Sequence, residues 1–277
     1  TETVIKVTAT ILFIIGPIDL VVGSMPLFME ADVAVENLKE LERRLEAGVM
    51  KAPAKPLDPA APFVGLQIKD VKYRYPGDYD ETEFTLGPIN LEVTPGEILF
   101  IVGGNGSGKS TLLKILTGLY YPTDGEVLVD GSRLERSDYP QYRQSFSAIF
   151  TDFFLFDRLY GVSPAVYGRA DDLLKWLDIS RKTTFDNGGF TNRNLSTGQR
   201  KRLALVAALL EERAVYVFDE IAADQDPEFR RRFYEEILPK IRDQGATVIA
   251  VTHDDRYFKC ADRVVMMEEG QLRPFNQ

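Results

Sequence analysis

From Val7 to Met29 the chain is apolar with a single charge, Asp19. At a rise of about 1.5 Å per residue, a helix of this length crosses a hydrocarbon core of roughly 30 Å. The pattern predicts a membrane helix whose Asp19 faces neighbouring helices or an aqueous path, with Gly16, Pro17, Gly23 and Pro26 weakening its straightness. A buried core helix or a targeting segment is the competing reading of the same run. Over 31–47, Ala34, Leu38, Leu41 and Leu45 recur at helical spacing among charges, which predicts an amphipathic continuation. Lys39, Arg43 and Arg44 favour a cytoplasmic position for it. Pro53, Pro56, Pro59 and Pro62 then forbid a helix and predict an extended linker over 48–63. From Phe63 onward, short β-branched runs (LQIKDVKYRY, EILFIV, AVYVFD, ATVIAV) alternate with helical patterns. That alternation predicts an α/β domain over 64–277 with parallel central strands.

Composition narrows the function. The 277 residues carry 33 Lys and Arg against 42 Asp and Glu, a net charge of −9, which argues against a nucleic-acid binder held by phosphate neutralisation. One cysteine, Cys260, and one histidine, His253, leave no disulfide framework and no zinc site of the usual kind. The chain opens on Thr1 and not on methionine, and the expectation is of a fragment or processed product.

The strongest chemical signal is GGNGSGKST, Gly103 to Thr111, between the apolar strand EILFIV and the helical run LLKILTGL. It fits G-x-x-x-x-G-K-[ST], the loop that wraps phosphates with backbone N–H groups. Gly103, Gly106 and Gly108 permit the tight turns, with Asn105 and Ser107 between them. Lys109 is expected on the β- and γ-phosphates, the Ser110 hydroxyl on Mg²⁺, and Thr111 in the following turn. AVYVFDE is a buried-strand pattern ending in two carboxylates. Asp219 is placed to give Mg²⁺ a hard oxygen ligand and Glu220 to polarise an attacking water. In NLSTGQRKRLALVAALL, Ser196, Gly198 and Gln199 sit at a helix start that offers N–H groups to an anion. Leu203, Val206, Ala207 and Leu210 form the expected buried face of that helix.

This order of motifs resembles the ATPase domain of the ABC transporter superfamily over residues 64–270. The resemblance implies a P-loop NTPase with a parallel core sheet, an antiparallel β subdomain and a helical subdomain at about 152–212, preceded by one membrane-helix fragment. LSTGQ is similar to the family's signature peptide, with Thr197 in place of a usual glycine. The family pairs two such domains, so Ser196 and Gly198 are implied on the γ-phosphate held by the partner copy. Glu220 is implied as the general base, His253 as the γ-phosphate switch, and Tyr75 as the aromatic that stacks on adenine, with Tyr73 the competing choice. ADQD, Ala223 to Asp226, lies where the dimer-contact loop is expected, although Asp226 before Pro227 also reads as a helix cap. The family's Mg²⁺-ligating glutamine is absent. In FSAIFTDFFLF, Thr151 holds its place and Asp152 follows, and either oxygen side chain could meet the metal. Phe150, Phe153, Phe154 and Phe156 read as core or as a greasy socket for a membrane-domain helix. DNGGFTNR, before the signature, lacks the acidic pattern usual in exporters.

These features point to an ATP-hydrolysing, Mg²⁺-dependent homodimeric export subunit. It is expected in the inner membrane through its N-terminal helix and further helices upstream, with a cytoplasmic cassette and no nucleic-acid partner. LSTGQ apart, the phrase FTDFFLFDRLYG resembles the bacterial branch that exports cyclic peptides and siderophore precursors. A soluble ABC-type ATPase acting on nucleic acid or ribosomes, and a nucleotide-binding module without hydrolysis, are the alternatives.

Overall fold

The computed structural model describes residues 2–48, 63–75 and 84–275. The chain separates into a unit Thr1–Ala52 and a unit Pro53–Gln277. The first contains helix α1, Glu2–Gly48, which runs unbroken through Pro17 and Pro26. The apolar run and its amphipathic continuation are therefore one element of 47 residues, about 70 Å long. Among its side chains, Phe13, Leu20 and Phe28 are each more than 70% exposed. Nearly all of the expected linker lies outside the described residues.

In the second unit, β-branched and aromatic runs form two main sheets. Strands β1 (Leu66–Arg74), β2 (Thr85–Val93), β4 (Asp124–Val129) and β5 (Ser132–Arg133) make an antiparallel sheet in the order β2-β1-β4-β5. Strands β3 (Ile98–Gly103), β6 (Phe146–Ile149), β9 (Val215–Asp219), β10 (Thr247–Val251), β11 (Arg263–Glu268) and β12 (Gln271–Pro274) make the larger one, in the order β12-β11-β3-β10-β9-β6. All of its pairings are parallel except β11 with β12. A short hairpin, β7 (Phe185–Asp186) and β8 (Gly189–Phe190), precedes the signature peptide.

Every residue of β9 and β10 is buried, as strands covered on both faces require. Alternation divides their side chains between two cores. Phe100, Tyr216, Phe218, Val248 and Ala250 face one way, against helices α4 (Ala170–Trp176), α5 (Thr197–Leu210), α6 (Pro227–Arg232) and α7 (Leu238–Asp243). Leu99, Ile101, Val217, Ile249 and Val251 face the other, against α2 (Lys109–Leu116), α3 (Tyr139–Tyr142) and the antiparallel sheet. A π-helical turn, Phe233–Ile237, joins α6 to α7.

The expected face of α5 is narrower than the observed one. Ala207 is only half-buried, whereas Lys201, Leu205, Ala208 and Leu209 join the buried set. The expectation of a phenylalanine core over 150–156 also needs correcting. Phe154 and Phe156 are 70% and 59% exposed and meet edge to face, while Phe150 and Phe153 pack partly against the two cores.

Candidate functional site

The parallel strands β3, β9 and β10 end side by side, and their C-terminal ends deliver the chemistry. After β3 the chain turns through Gly103 (φ 146), Gly106 (φ 76) and Gly108 (φ 102) before α2 begins at Lys109. A Cβ on Gly103 would lie 2.1 Å from the Met267 carbonyl oxygen, and one on Gly108 would lie 2.7 Å from Leu86. No other residue fits either place. The buried Lys109 ammonium donates to the carbonyls of Gly103 (3.0 Å) and Gly104 (2.8 Å), curling the loop around its own cation. Burial pulls the Lys109 pKa down, opposed by Glu220 and Asp219. The Ser107 hydroxyl is buried without a hydrogen-bond partner. A glycine-lined loop, a cation at its mouth and an orphaned hydroxyl fit a bound phosphate chain.

Ser110 donates to Asp219 at 2.7 Å across the gap between the loop and β9. Thr151, two residues past β6, stands near enough to Asp219 to favour its charged form, and Thr151 and Asp152 are both exposed. Ser110, Thr151 and Asp219 make a hard-oxygen set suited to Mg²⁺. Burial drives the Asp219 pKa up; Ser110, Thr151 and Lys109 oppose it and Glu220 adds to it. The sign follows. A carboxyl whose pKa is raised on folding destabilises the nucleotide-free fold at neutral pH, and that cost is lost as pH falls through the folded pKa toward the unfolded value. Asp219→Asn is expected to raise the melting temperature of the nucleotide-free protein at pH 7 and to remove the response to Mg²⁺. Thermal unfolding at pH 7 with and without Mg-ATP checks both.

Glu220 follows β9 with φ 54, a left-handed backbone that costs a non-glycine residue on the order of 1–3 kcal/mol. Its carboxylate meets His253 Nε2 at 2.8 Å, and its N–H donates to Val251 at 3.3 Å, tying it to the end of β10. The general-base and switch candidates are therefore in contact in one chain.

A bulge sets Tyr73 and Tyr75 in different surroundings. Leu66 and Ile68 point inward, the register shifts near Asp70 (φ 49), and Val71 and Tyr73 then point inward in turn. Tyr73 is buried and stacks on Tyr120, with ring centres 4.9 Å apart. Tyr75 lies just past the strand, 36% exposed, and its hydroxyl meets that of Thr111 at 2.8 Å. Tyr75, Phe84, Asn105, Gly106, Lys109, Ser110 and Glu220 line one cleft of about 490 Å³. Phe84 escaped the sequence reading because no motif or periodic pattern marks a residue at a strand entrance.

Ser196 caps α5 through a capping box, accepting from the Gln199 N–H at 3.4 Å while Gln199 Oε1 accepts from the Ser196 N–H at 3.2 Å. Neither residue lines the cleft around Lys109. Gly198 is pressed against the chain that follows Glu220: a Cβ there would lie 3.0 Å from the Asp224 carbonyl oxygen, and Gln225 donates to the Gly198 carbonyl at 2.9 Å. Asp226 caps α6, accepting from Phe229 at 2.9 Å, and pairs with Arg202.

A family model described as "ABC transporter" matches residues 86–223. The chain is 40% identical over 270 residues to ATP-binding protein SyrD of Pseudomonas syringae pv. syringae, covering 94% of this chain and 48% of that protein. It is 31% identical over 218 residues to the energy-coupling factor transporter ATP-binding protein EcfA1 of Mycoplasma mobile, covering 75% of this chain and 78% of the relative. A bacterial Atm1-family ABC exporter solved with ATP bound superposes with a TM-score of 0.66 at 22% identity, over 86% of this chain and 43% of that one. The chain thus spans about half the length of SyrD.

Proposed function

This chain belongs to the ABC transporter family, and from that premise we propose that it is the ATP-binding and hydrolysing part of an exporter, working as a homodimer whose attached helices lie in the bacterial inner membrane. The observation that carries the reading is the meeting of loop, metal ligands and base at one strand edge: Lys109 over its loop, Ser110 on Asp219, and Glu220 on His253.

The chain's own groups divide the work. Gly103 to Thr111 would cradle the phosphates, with Lys109 on the β and γ groups. Bound Mg²⁺ supplies charge neutralisation at the phosphate oxygens, held by Ser110 and Asp219 with Thr151 beside them. Glu220 orients water and accepts its proton, and His253 fixes the direction of that carboxylate. Tyr75, with Phe84 across the cleft, offers an aromatic surface to the base. Ser196 and Gly198, absent from the phosphate cleft of their own chain, act on the nucleotide of a second copy. Phosphoryl transfer needs mainly positioning and charge stabilisation, and each of these groups supplies one or the other.

Helix α1 supports the membrane part of the proposal, being apolar enough and long enough to span a bilayer. Phe154, Phe156 and Tyr160 form an exposed aromatic edge suited to a membrane-embedded neighbour. The resemblance in FTDFFLFDRLYG, with Thr151 and Asp152 in place of the glutamine, favours a cyclic-peptide or siderophore-like cargo. A binding module without hydrolysis is disfavoured by the contact between Glu220 and His253, which a silent site has no need to keep.

The test uses membranes from cells expressing the chain. Mg-ATP turnover is expected in the pellet after alkaline extraction. Tyr75→Ala is expected to raise KM for ATP about tenfold with little change in kcat, because stacking on a base contributes roughly 1–3 kcal/mol. Loss of the protein to the alkaline supernatant would overturn the membrane reading. An unchanged KM would overturn the role of Tyr75.

A further inference from the structure

Lys201 lies one turn into α5, on the stripe that the helix buries, and is only 3% exposed. A buried ammonium needs partners, and it has two. Its Nζ donates to the backbone carbonyl of Glu220 at 3.0 Å and pairs with the Asp224 carboxylate at 2.7 Å. Asp224 is 56% exposed at its side chain and would be hydrated without the lysine. The Glu220 carbonyl closes a left-handed residue, a conformation that persists only where its surroundings over-determine it.

Those surroundings can be counted among the described residues. The N–H of Glu220 donates to Val251, the carbonyl accepts from Ala223 at 3.2 Å and from Lys201, and the carboxylate meets His253. Val251 and His253 belong to β10 and its exit, and Ala223 to the loop just downstream. Only Lys201 comes from α5, the helix whose first turn carries Ser196 and Gly198. Around it the same helix also grips the same loop at Gln225 and Asp226, Gly198 accepting from Gln225, and Arg202 donating to Gln225 Oε1 at 3.0 Å and pairing with Asp226.

Resting on the hydrolysis reading above, we propose that Lys201 is a positioning residue for Glu220. Its ammonium holds the peptide that aims the general base, and it makes that aim depend on where the signature helix sits. A shift of α5 when a nucleotide meets Ser196 would reach Glu220 of the same chain directly through this side chain, whereas the grips on Gln225 and Asp226 act on it through the loop. Asp224 offsets the charge of the ammonium, which the Glu220 carbonyl holds independently at 3.0 Å, and is not itself the link.

The test compares four full-length chains in detergent, each assayed for Mg-ATP affinity, kcat and KM. Lys201→Met removes the donor. It is expected to lower kcat by about 10- to 100-fold with Mg-ATP affinity within about threefold, the scale on which a misplacement near 1 Å acts. Lys201→Gln matches methionine in length and differs by its N–H donor, and it is expected to recover most of the lost kcat. Asp224→Asn, which keeps Lys201, is expected to stay within about threefold of the unsubstituted chain. Retained Mg-ATP affinity reports that a variant is folded. The inference is overturned if Lys201→Met turns over ATP normally, if its loss lies in KM alone, if Lys201→Gln stays as slow as methionine, or if Asp224→Asn falls as far. If the unsubstituted chain has no turnover that depends on Glu220, the hydrolysis reading itself fails and the inference falls with it, an outcome distinct from a normal rate in Lys201→Met.

Discussion

Glu220→Gln is expected to leave Mg-ATP bound and to cut phosphate release at least a hundredfold. Glutamine keeps the length and the polar contact to His253, which stands at 2.8 Å from the carboxylate, so the shape of the site is retained. It cannot accept a proton from water, and general-base assistance contributes about 10²–10⁴ in rate. The left-handed backbone at this position is as accessible to glutamine as to glutamate, so folding is little affected. Phosphate release measured beside equilibrium ATP binding separates the two effects. A rate within threefold of the unsubstituted chain would mean that Glu220 does not activate water, and the hydrolysis reading would fail. Equal background rates in both chains would favour a binding-only module.

How far such residues can be read from sequence depends on how local their geometry is. The phosphate loop was legible because its glycines, its lysine and its flanking strand and helix occupy adjacent positions, Gly103 and Gly108 answering close approaches and Gly106 a left-handed turn. Asp219 and Glu220 were legible because an apolar strand must end somewhere, and His253, after another such strand, was marked by the family resemblance. The approach of Thr151 to Asp219 brings the chain past β6 to the end of β9, and the replacement for the glutamine could be narrowed only to a pair. Tyr75 could not be separated from Tyr73 by alternation, because both have the same parity. The shift near Asp70 turned Tyr73 inward, and the end of the strand at Arg74 left Tyr75 outside. Lys201 carried a signal that went unread: it shares the stripe of Leu205 and Ala208, and a charge on an apolar stripe must be answered by a partner. Which partner depends on a loop 19 residues or more away in sequence, and local patterns do not encode that distance. The helix expected through Pro17 and Pro26 is present, as part of one unbroken α1.

The position of Ser196 makes a prediction that a single intact site could not satisfy. Ser196 caps its own α5 and has no place in the cleft around its own Lys109. If it completes the site of a second copy, Ser196→Arg on one protomer silences the phosphate loop of the other. Mixed dimers separate the alternatives. With Lys109→Ala and Ser196→Arg on the same protomer and an unsubstituted partner, both sites lose a component and turnover is expected to fall to background. With the two substitutions on opposite protomers, one loop and the signature facing it remain whole, and turnover is expected to survive. A site built within one chain gives the reverse order, because the unsubstituted partner would then be self-sufficient. Loss of the cap itself costs about 1 kcal/mol, and Ser196→Ala measures that part separately. The order of the two mixed dimers does not depend on it, since both contain the same number of substituted caps. Comparing their ATP turnover therefore tests the geometry of the shared site independently of helix stability.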